Sequence, residues 1–463
     1  MPIKLFNTIS REIEEFKPQK NNEVSFYTCG PTVYGFAHIG NLRTYIFEDI
    51  LKRVLEFNDY KVNHVMNITD VGHLTGDGDE GEDKIEKSAL LESKSVYEIA
   101  EFYTDAFQKD LQNLHIITPN VWCKATEHIQ EQIELIKKLE EKGFLYKISD
   151  GLYFDTAKFP KYGDLAHLNL SGQEAGVRVE INPEKKNPTD FAVWKFSPRE
   201  KQRLMEWDSP WGIGFPGWHI ECSAMSMKYL GETIDIHAGG IDHIPVHHTN
   251  EIAQSECVTG KQFVNYWLHG EFLLINDNRM GKSVGNFITL NDLVEKGFDP
   301  MVYRMFCLSS HYRSKLNFTF ENLENARNIW QKLKTKFLNL GKLTGKIKEE
   351  FLLQFTACVN DDLGVPKALA VVWEVLKSDL SDFDKRATLL EFDKVLGFDL
   401  QNTKDDENNF EIPQEIKKLA EQRFQTKLKK DFKKADELRK KIVEQGFEIE
   451  DFVESYKIKK IEK

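Results

Sequence analysis

Residues Phe26 to Leu51 read FYTCGPTVYGFAHIGNLRTYIFEDIL. The stretch decides the fold because its period changes in the middle. VSFYTC, from Val24, is short and β-rich, whereas apolar residues recur at helical spacing from Ile39 to Phe57, and VNHVMNI, from Val62, returns to a strand pattern. Strand, helix and strand in this order predict a βαβ unit with a parallel sheet. The turn between the first two elements puts Cys29 at a strand end and His38-Ile39-Gly40-Asn41 at a helix start. Neither group does chemistry alone, so partners are sought downstream.

The chain has 463 residues, 41% hydrophobic and 12% aromatic, enough for a large core and two to four domains. Its start, MPIKLFNTISREIEEF, lacks a basic end followed by an apolar run, and no uninterrupted apolar segment is long enough for a bilayer, so a cytoplasmic protein without membrane partners is expected. Cys29, Cys123, Cys222, Cys257, Cys307 and Cys358 are scattered without a CxxC, which favours reduced thiols over a disulfide framework. The net charge of -12 opposes non-specific attraction to nucleic acid, although a local basic face stands near the C-terminus.

Beyond the opening unit, residues 76–87 (GDGDEGEDKIEK) read as an acidic solvated loop, and helices are expected between Val96 and Leu114. Short strands and turns from Gly143 to Pro198 suggest an insertion between two halves of the sheet domain. The α/β texture returns at Trp218, with CSAMSMKYL as a helix and TIDIHAGG as a buried strand ending in glycines. After Tyr312 the chain is mostly helical, residues 401–413 resemble a linker, and a small lysine-rich module follows.

HAGGIDHIPVHHTNEIAQSE, His237 to Glu256, holds four histidines in twelve residues. Pro245 suits a helix start, so His247 and Glu251, four apart, share a face on which an imidazole and a carboxylate reach one cation, and His248 is expected to point elsewhere. Further zinc ligands would come from soft thiolates, with Cys29 and Cys222 as candidates and Cys257 as packing. A hydrogen-bonded histidine cluster explains the same spacing equally well. In the opening stretch, Gly40 permits close approach, and the helix beginning there presents unpaired N–H groups suited to phosphate, with His38 beside them. NDNRMGKSVGNFITL carries Arg279 and Lys282 in a glycine-containing loop. It ends like a P-loop, but Asn276 stands where the first glycine would be, so a basic phosphate-facing loop remains.

Together these blocks resemble the cysteinyl-tRNA synthetase family of class I aminoacyl-tRNA synthetases over nearly the whole chain. AHIGN is similar to the HIGH signature and RMGKS to the KMSKS signature, and PGWHIECSAM, HHTNEIAQSE and VNYWLHGEF follow in the family's order. Asn41 replaces the last histidine of the first signature; Arg279 and Gly281 replace a lysine and a serine of the second.

The resemblance implies a Rossmann-like α/β catalytic domain with an inserted connective domain, then a helical bundle and an anticodon-binding module. It divides the chain into 1–115 and 208–311 for the two catalytic halves, 116–207 for the insertion, 312–400 for the bundle, 401–413 for the linker and 414–463 for the module. It implies one Zn2+ per chain held by Cys29, Cys222, His247 and Glu251, a cysteine pocket of Cys29, Thr69 and Trp218, and Mg2+ with ATP. His38, Gly40, Asn41, Arg279, Met280 and Lys282 fall at the ATP positions, with His38, Asn41 and Lys282 as catalytic groups. The substrates implied are L-cysteine, ATP and tRNA(Cys), and the protein is expected to be a monomer. In the module, Phe424, Leu428, Phe432, Ala435, Leu438 and Ile442 recur at helical spacing opposite Lys427, Lys430, Lys433, Lys434 and Lys441. Lys427, Asp436 and Asp451 fall at the family's anticodon contacts. A ligase joining cysteine to an amino-sugar inositol resembles the same catalytic half, but it lacks this basic end; a regulatory protein derived from a synthetase would be expected to have broken signatures.

Overall fold

A computed structural model describes residues 1–71, 83–167, 182–198, 203–280, 286–404, 413–428, 431–451 and 456–460. One compact unit comprises Met1–Leu333 and Leu340–Leu400, and a second comprises Lys334–Asn339 and Gln401–Lys463.

The first unit opens with a hairpin, β1 (Lys4–Asn7) and β2 (Glu12–Glu15), and then forms the βαβ unit: β3 (Glu23–Thr28), α1 (Ile39–Phe57) and β4 (Lys61–Ile68). α1 buries Ile39, Leu42, Ile46, Ile50 and Val54 along one stripe. Helices α2 (Lys84–Glu92) and α3 (Val96–Asn113) lead to β5 (Val121–Lys124), which pairs in parallel with β4. After α4 (Ile129–Glu141), strands β6 (Leu145–Ile148), β7 (Gly151–Phe154), β8 (Phe191–Phe196) and β9 (Gly214–Pro216) form an antiparallel sheet in sequential order. The chain then re-enters the parallel sheet through α5 (Trp218–Leu230), β10 (Ile234–Gly240), α6 (Thr249–Thr259) and β11 (Val264–Gly270).

The parallel sheet has the order β11-β10-β3-β4-β5. Its strands are apolar almost throughout because helices cover both faces; Phe26, Tyr27, Val65, Ile236 and Leu268 are fully buried. Two boundaries differ from the sequence reading. Residues 121–124 belong to the parallel sheet rather than to an insertion starting at 116, and β9 keeps residues 214–216 in the antiparallel sheet rather than in the second catalytic half. Four- and three-residue strands are too short to show a period.

From β3 the chain builds outward through β4 and β5, then returns to the other side of β3 for β10 and β11. This reversal opens a crevice at the carboxyl ends of β3 and β10, the place where α/β sheets take ligands. A small sheet follows, β12 (Leu273–Ile275), β13 (Asn278–Arg279) and β14 (Leu316–Phe318), with α7 (Leu290–Glu295) and α8 (Pro300–Leu308) between its second and third strands. Helices α9 (Phe320–Asn339), α10 (Glu349–Asn360), α11 (Val365–Lys377) and α12 (Asp382–Leu396) complete the described elements up to Leu400. Among the described residues no helix is long and apolar enough to cross a membrane.

The second unit contains α13 (Gln414–Leu428), α14 (Phe432–Glu444) and a hairpin of β15 (Phe447–Asp451) with β16 (Tyr456–Lys460). Ile416, Ala420, Ile442, Phe447, Ile449 and Ile458 form its core. The apolar stripe from Phe424 to Ile442 is thus split over two helices. Asp431 caps α14 by accepting from the Lys434 N–H, and Leu428 and Phe432 at the break are exposed.

Candidate functional site

Cys29 follows directly on β3, at the mouth of the crevice. Beside it the Gly30 N–H donates to Asn67 Oδ1 at 2.9 Å, and a Cβ at Gly30 would sit 1.7 Å from the Asn67 carbonyl oxygen, so only glycine lets the ends of β3 and β4 stay this close. Cys222 comes from the second turn of α5, which starts after Gly217 where a Cβ would meet the Ala192 carbonyl. His247 lies in a wide π-helical turn, Ile244–His248, with Pro245 in its first positions, and Glu251 lies in the first turn of α6. All four side chains are buried, and each brings one ligand atom to within 4.8 Å of the others.

A second group, Cys29, His237, His248 and Glu251, meets the same limit. His248 therefore does not point elsewhere: at i−3 from Glu251 it shares the helix face with His247, and its Nε2 lies 3.4 Å from Cys29 Sγ. The cavity separates the two groups. It holds about 230 Å³ and is lined by Cys29, Cys222 and His247, while His237 and His248 lie outside its lining, as does Glu251, which both groups share. His248 is instead tied back through Nδ1 to His269 Nε2 at 2.7 Å, and His269 Nδ1 meets Thr8 Oγ1 at 2.7 Å.

The electrostatics of Cys29, Cys222, His247 and Glu251 fit a divalent cation. Burial works against a charged His247, but Glu251 and then Cys222 push it up to about 10. Burial likewise raises Glu251, yet His237 and His247 bring it down to about 2. A hydrogen bond from Cys29 draws Cys222 down to about 6, whereas burial and then Cys222 hold the Cys29 thiol well above its usual range. The protein groups alone supply one imidazolium for two anions, and a second buried thiolate would lack a counter-charge. A dication supplies it, and two sulfurs with one imidazole and one carboxylate are ligands zinc accepts. Among the described residues Glu251 Oε1, 3.1 Å from His247 Nε2, has no well-directed hydrogen-bond donor of its own, as expected of an atom aimed at a shared target.

The wall and rim of the cavity carry other expected residues. Trp218 lies against His247 with ring centroids 4.3 Å apart and planes tilted by 32°, and buried Thr69 accepts from Asn67 Nδ2 at 3.0 Å. At the rim His38 is the N-cap of α1: its Nδ1 accepts the Asn41 N–H at 3.0 Å, and Asn41 Oδ1 accepts the His38 N–H at 3.2 Å. This reciprocal capping box explains how asparagine serves in the first signature. The Ile39 N–H donates to Ile288 O and the Leu42 N–H to His38 O, which leaves the Gly40 N–H as the helix-end donor with no acceptor among the described residues. Arg279 and Met280 do not line the cavity; Arg279 ends β13 with its guanidinium 4.8 Å from the centroid of the Phe272 ring. Lys282 and Gly281 lie outside the described residues.

The chain is similar to known proteins over nearly its whole length. The family model for the catalytic domain of class I (C) tRNA synthetases matches residues 15–328. The chain is 48% identical to cysteine–tRNA ligase 1 of Burkholderia lata, covering 99% of this chain and 97% of that protein, and 50% identical to the cysteine–tRNA ligase of Treponema denticola, covering 97% and 98%. The chain belongs to the cysteine–tRNA ligase family. Its members are aminoacyl-tRNA ligases of class I. Solved structures agree on the fold: methionyl-tRNA synthetase of Mycobacterium tuberculosis bound by methionyl-adenylate aligns with TM-score 0.55 at 13% identity (81% of this chain, 90% of that one), and the LeuRS–tRNA–LeuAMS ternary complex of Agrobacterium radiobacter K84 with 0.58 at 12% (84% and 86%).

Within this family frame, several side chains behind the ligands had escaped the sequence reading. His219 Nδ1 lies 3.0 Å from His247 Nδ1, His237 Nε2 lies 3.1 Å from Glu251 Oε2, and Asp242 and His243 line the cavity. Their signal was visible as the density of histidines around PGWHIE and HAGGIDHIPVHH, but spacing alone does not say which ring faces which way. In the second unit Lys427 is half-buried on α13 and Asp436 is exposed on α14. Asp451 ends β15, and its side chain lies outside the described residues.

Proposed function

We propose that this chain activates L-cysteine with Mg-ATP to cysteinyl-adenylate and transfers the cysteinyl group to tRNA(Cys), as a cytoplasmic monomer carrying one zinc ion. The observation that supports this best is that one cavity is lined both by three members of a soft buried ligand set, Cys29, Cys222 and His247, and by the helix N-terminus at His38 and Asn41. Cys29, Cys222, His247 and Glu251 would hold the zinc, which when bound offers the substrate thiol a Lewis-acidic seat that the far less acidic hydroxyl of serine takes poorly. Shape alone separates such near-isosteres by only about 10–200-fold. Trp218 and Thr69 close the pocket around the side chain.

In the first step the cysteine carboxylate oxygen attacks the α-phosphorus and the bond to the pyrophosphate oxygen breaks. His38 Nδ1 is occupied as an acceptor, so a neutral ring carries its hydrogen on Nε2 and donates from there. That donor, the Gly40 N–H and the positive end of α1 act on the charge spreading over phosphate, with Asn41 keeping His38 oriented. By family resemblance Arg279, Met280 and Lys282 flank the nucleotide. In the second step the terminal ribose 2′-hydroxyl of the tRNA attacks the activated carbonyl and AMP leaves. The second unit serves as the anticodon module, with Lys427, Asp436 and Asp451 as contacts, and its presence supports tRNA charging over ligation to an amino-sugar. We assign residues up to 311, around the antiparallel insertion, to catalysis and 312–400 to the bundle.

The test is cysteine-dependent ATP–pyrophosphate exchange by the purified protein. Exchange should vanish on stripping with a zinc chelator and return with zinc, and serine should not support it. Full exchange by stripped protein, or equal exchange with serine, would overturn the reading.

A further inference from the structure

Arg43 lies one turn beyond Gly40 on α1 and is 5% exposed, and among the described residues its four acceptors are all main-chain carbonyl oxygens. Its Nη1 donates to Glu271 O at 2.8 Å and Phe272 O at 2.6 Å, and its Nη2 to His311 O at 3.3 Å and Ser314 O at 2.5 Å. Glu271 and Phe272 enter β12, while His311 and Ser314 approach β14, the strand that pairs with β12 in parallel. A planar fork with several fixed donors can join two chain segments in this way, and an ammonium group cannot reproduce it. A buried cation used only to hold carbonyls is costly, which is why the segment it holds calls for an explanation.

That segment leads to Arg279. β13 pairs antiparallel with β12, Leu274 opposite Arg279, and the Arg279 guanidinium lies over the ring of Phe272, the residue whose carbonyl Arg43 grips. The far end of the same stretch is also moored to α1: Ile288 O accepts the Ile39 N–H at 2.9 Å, and Thr289 forms a bridge with His38. The N-cap and first two turns of α1 therefore hold His38, Phe272 on the way to Arg279, and Ile288.

We propose that Arg43 is a positioning residue for adenylate formation, aligning Arg279 with His38 through Phe272. This rests on the reading above in which Arg279 and His38 act on the nucleotide. The experiment uses the zinc-loaded full chain and the set R43K, R279Q and R43K/R279Q in pyrophosphate exchange. A misplacement of about 1 Å costs about 100-fold in rate, so R43K should lower kcat on that order with the KM for cysteine and the zinc content unchanged. If Arg43 works through Arg279, the double variant should be no more than about threefold below the worse single variant.

Retention of activity by R43K within about threefold of wild type would overturn the inference, as would a loss carried by cysteine KM or zinc content, or additive losses in the double variant. If R279Q alone is as active as wild type, the assignment of Arg279 fails first and the inference falls with it; if R279Q is impaired but the losses add, only the inference fails. Should R43K not fold, Arg43→Gln takes its place. Failure of both to fold would assign Arg43 to stability alone.

Discussion

Replacing Gly30 by alanine tests how tightly the crevice is built. The added Cβ would stand 1.7 Å from the Asn67 carbonyl oxygen and 2.8 Å from its carbon, where a real Cβ keeps at least 3.0 Å from such atoms. The ends of β3 and β4 must therefore part by about 1.3 Å, with both sides being main chain rather than a flexible tip. Cys29 precedes Gly30 and Asn67 donates to Thr69, so relief on either side moves a pocket residue. Metal ligands tolerate only about 0.2 Å, several times less than this displacement. Overpacking of this kind costs about 1–3 kcal/mol, which leaves the fold in place with a lowered melting temperature. Gly30→Ala should purify with well under stoichiometric zinc and lose about 100-fold or more in cysteine-dependent exchange. Gly40→Ala is the contrast: its Cβ meets the His38 ring at 3.0 and 3.1 Å, so zinc should stay and only the nucleotide step should weaken. Elemental analysis and exchange kinetics on the two variants decide the matter. Full zinc and wild-type exchange in Gly30→Ala would show that the strand ends yield more easily than the backbone contact implies.

Cys222→Ala should lose the metal while Cys257→Ala, in the packed core, keeps it; equal zinc in both would remove Cys222 from the ligand set. Arg304, fully buried, donates to Leu396 O, Leu114 O and Asp49 Oδ2; Arg304→Met leaves the two carbonyls without this donor while Asp49 keeps Arg53 and the Ile117 N–H, so a loss of about 1–3 kcal/mol per stranded carbonyl in urea unfolding is expected, and a total loss below about 1 kcal/mol would contradict it. His64 is held neutral, pushed down to about 3 first by burial and then by Lys52, and the unfolded chain binds the proton near pH 6.5. Between these values the unfolded state holds more protons, so stability should fall as pH drops, by up to about 1.4 kcal/mol per unit from this group; His64→Gln should flatten that slope, and an unchanged slope would refute the assignment. Truncation after Pro413 should spare adenylate formation and cripple tRNA charging, and equal loss of both in a folded protein would speak against a separate module.

The βαβ unit was legible because α1 has five helical turns of apolar stripe and its flanking strands are continuous apolar runs, so two different periods stand side by side. β5, β9 and β13 gave no comparable signal, since two to four residues complete no pattern. The hairpin of β15 and β16 escaped for another reason: its core residues Phe447, Ile449 and Ile458 stand singly between charged residues, so neither FEIED nor YKIKK shows a continuous apolar run. At the site, the convergence of Cys29, Cys222, His247 and Glu251 followed from matched blocks, not from spacing, because 193 positions separate the two thiols' segments in the chain. His248 stands three residues before Glu251 and His247 four, both helix-neighbour spacings, so spacing alone does not say which of the two adjacent rings the carboxylate meets.

The contact of Trp218 with His247 has an evolutionary corollary. On the proposed function, the surface that would gauge the size of the incoming side chain and the ring that would help retain the ion are in van der Waals contact, so neither could drift alone. A smaller residue at 218 would admit bulkier amino acids and, in the same stroke, unbrace the imidazole that the ion depends on. Relaxed substrate choice and a leaky ion thus arrive together, and a lineage exploring new substrates through this wall passes first through weakened charging of its own amino acid.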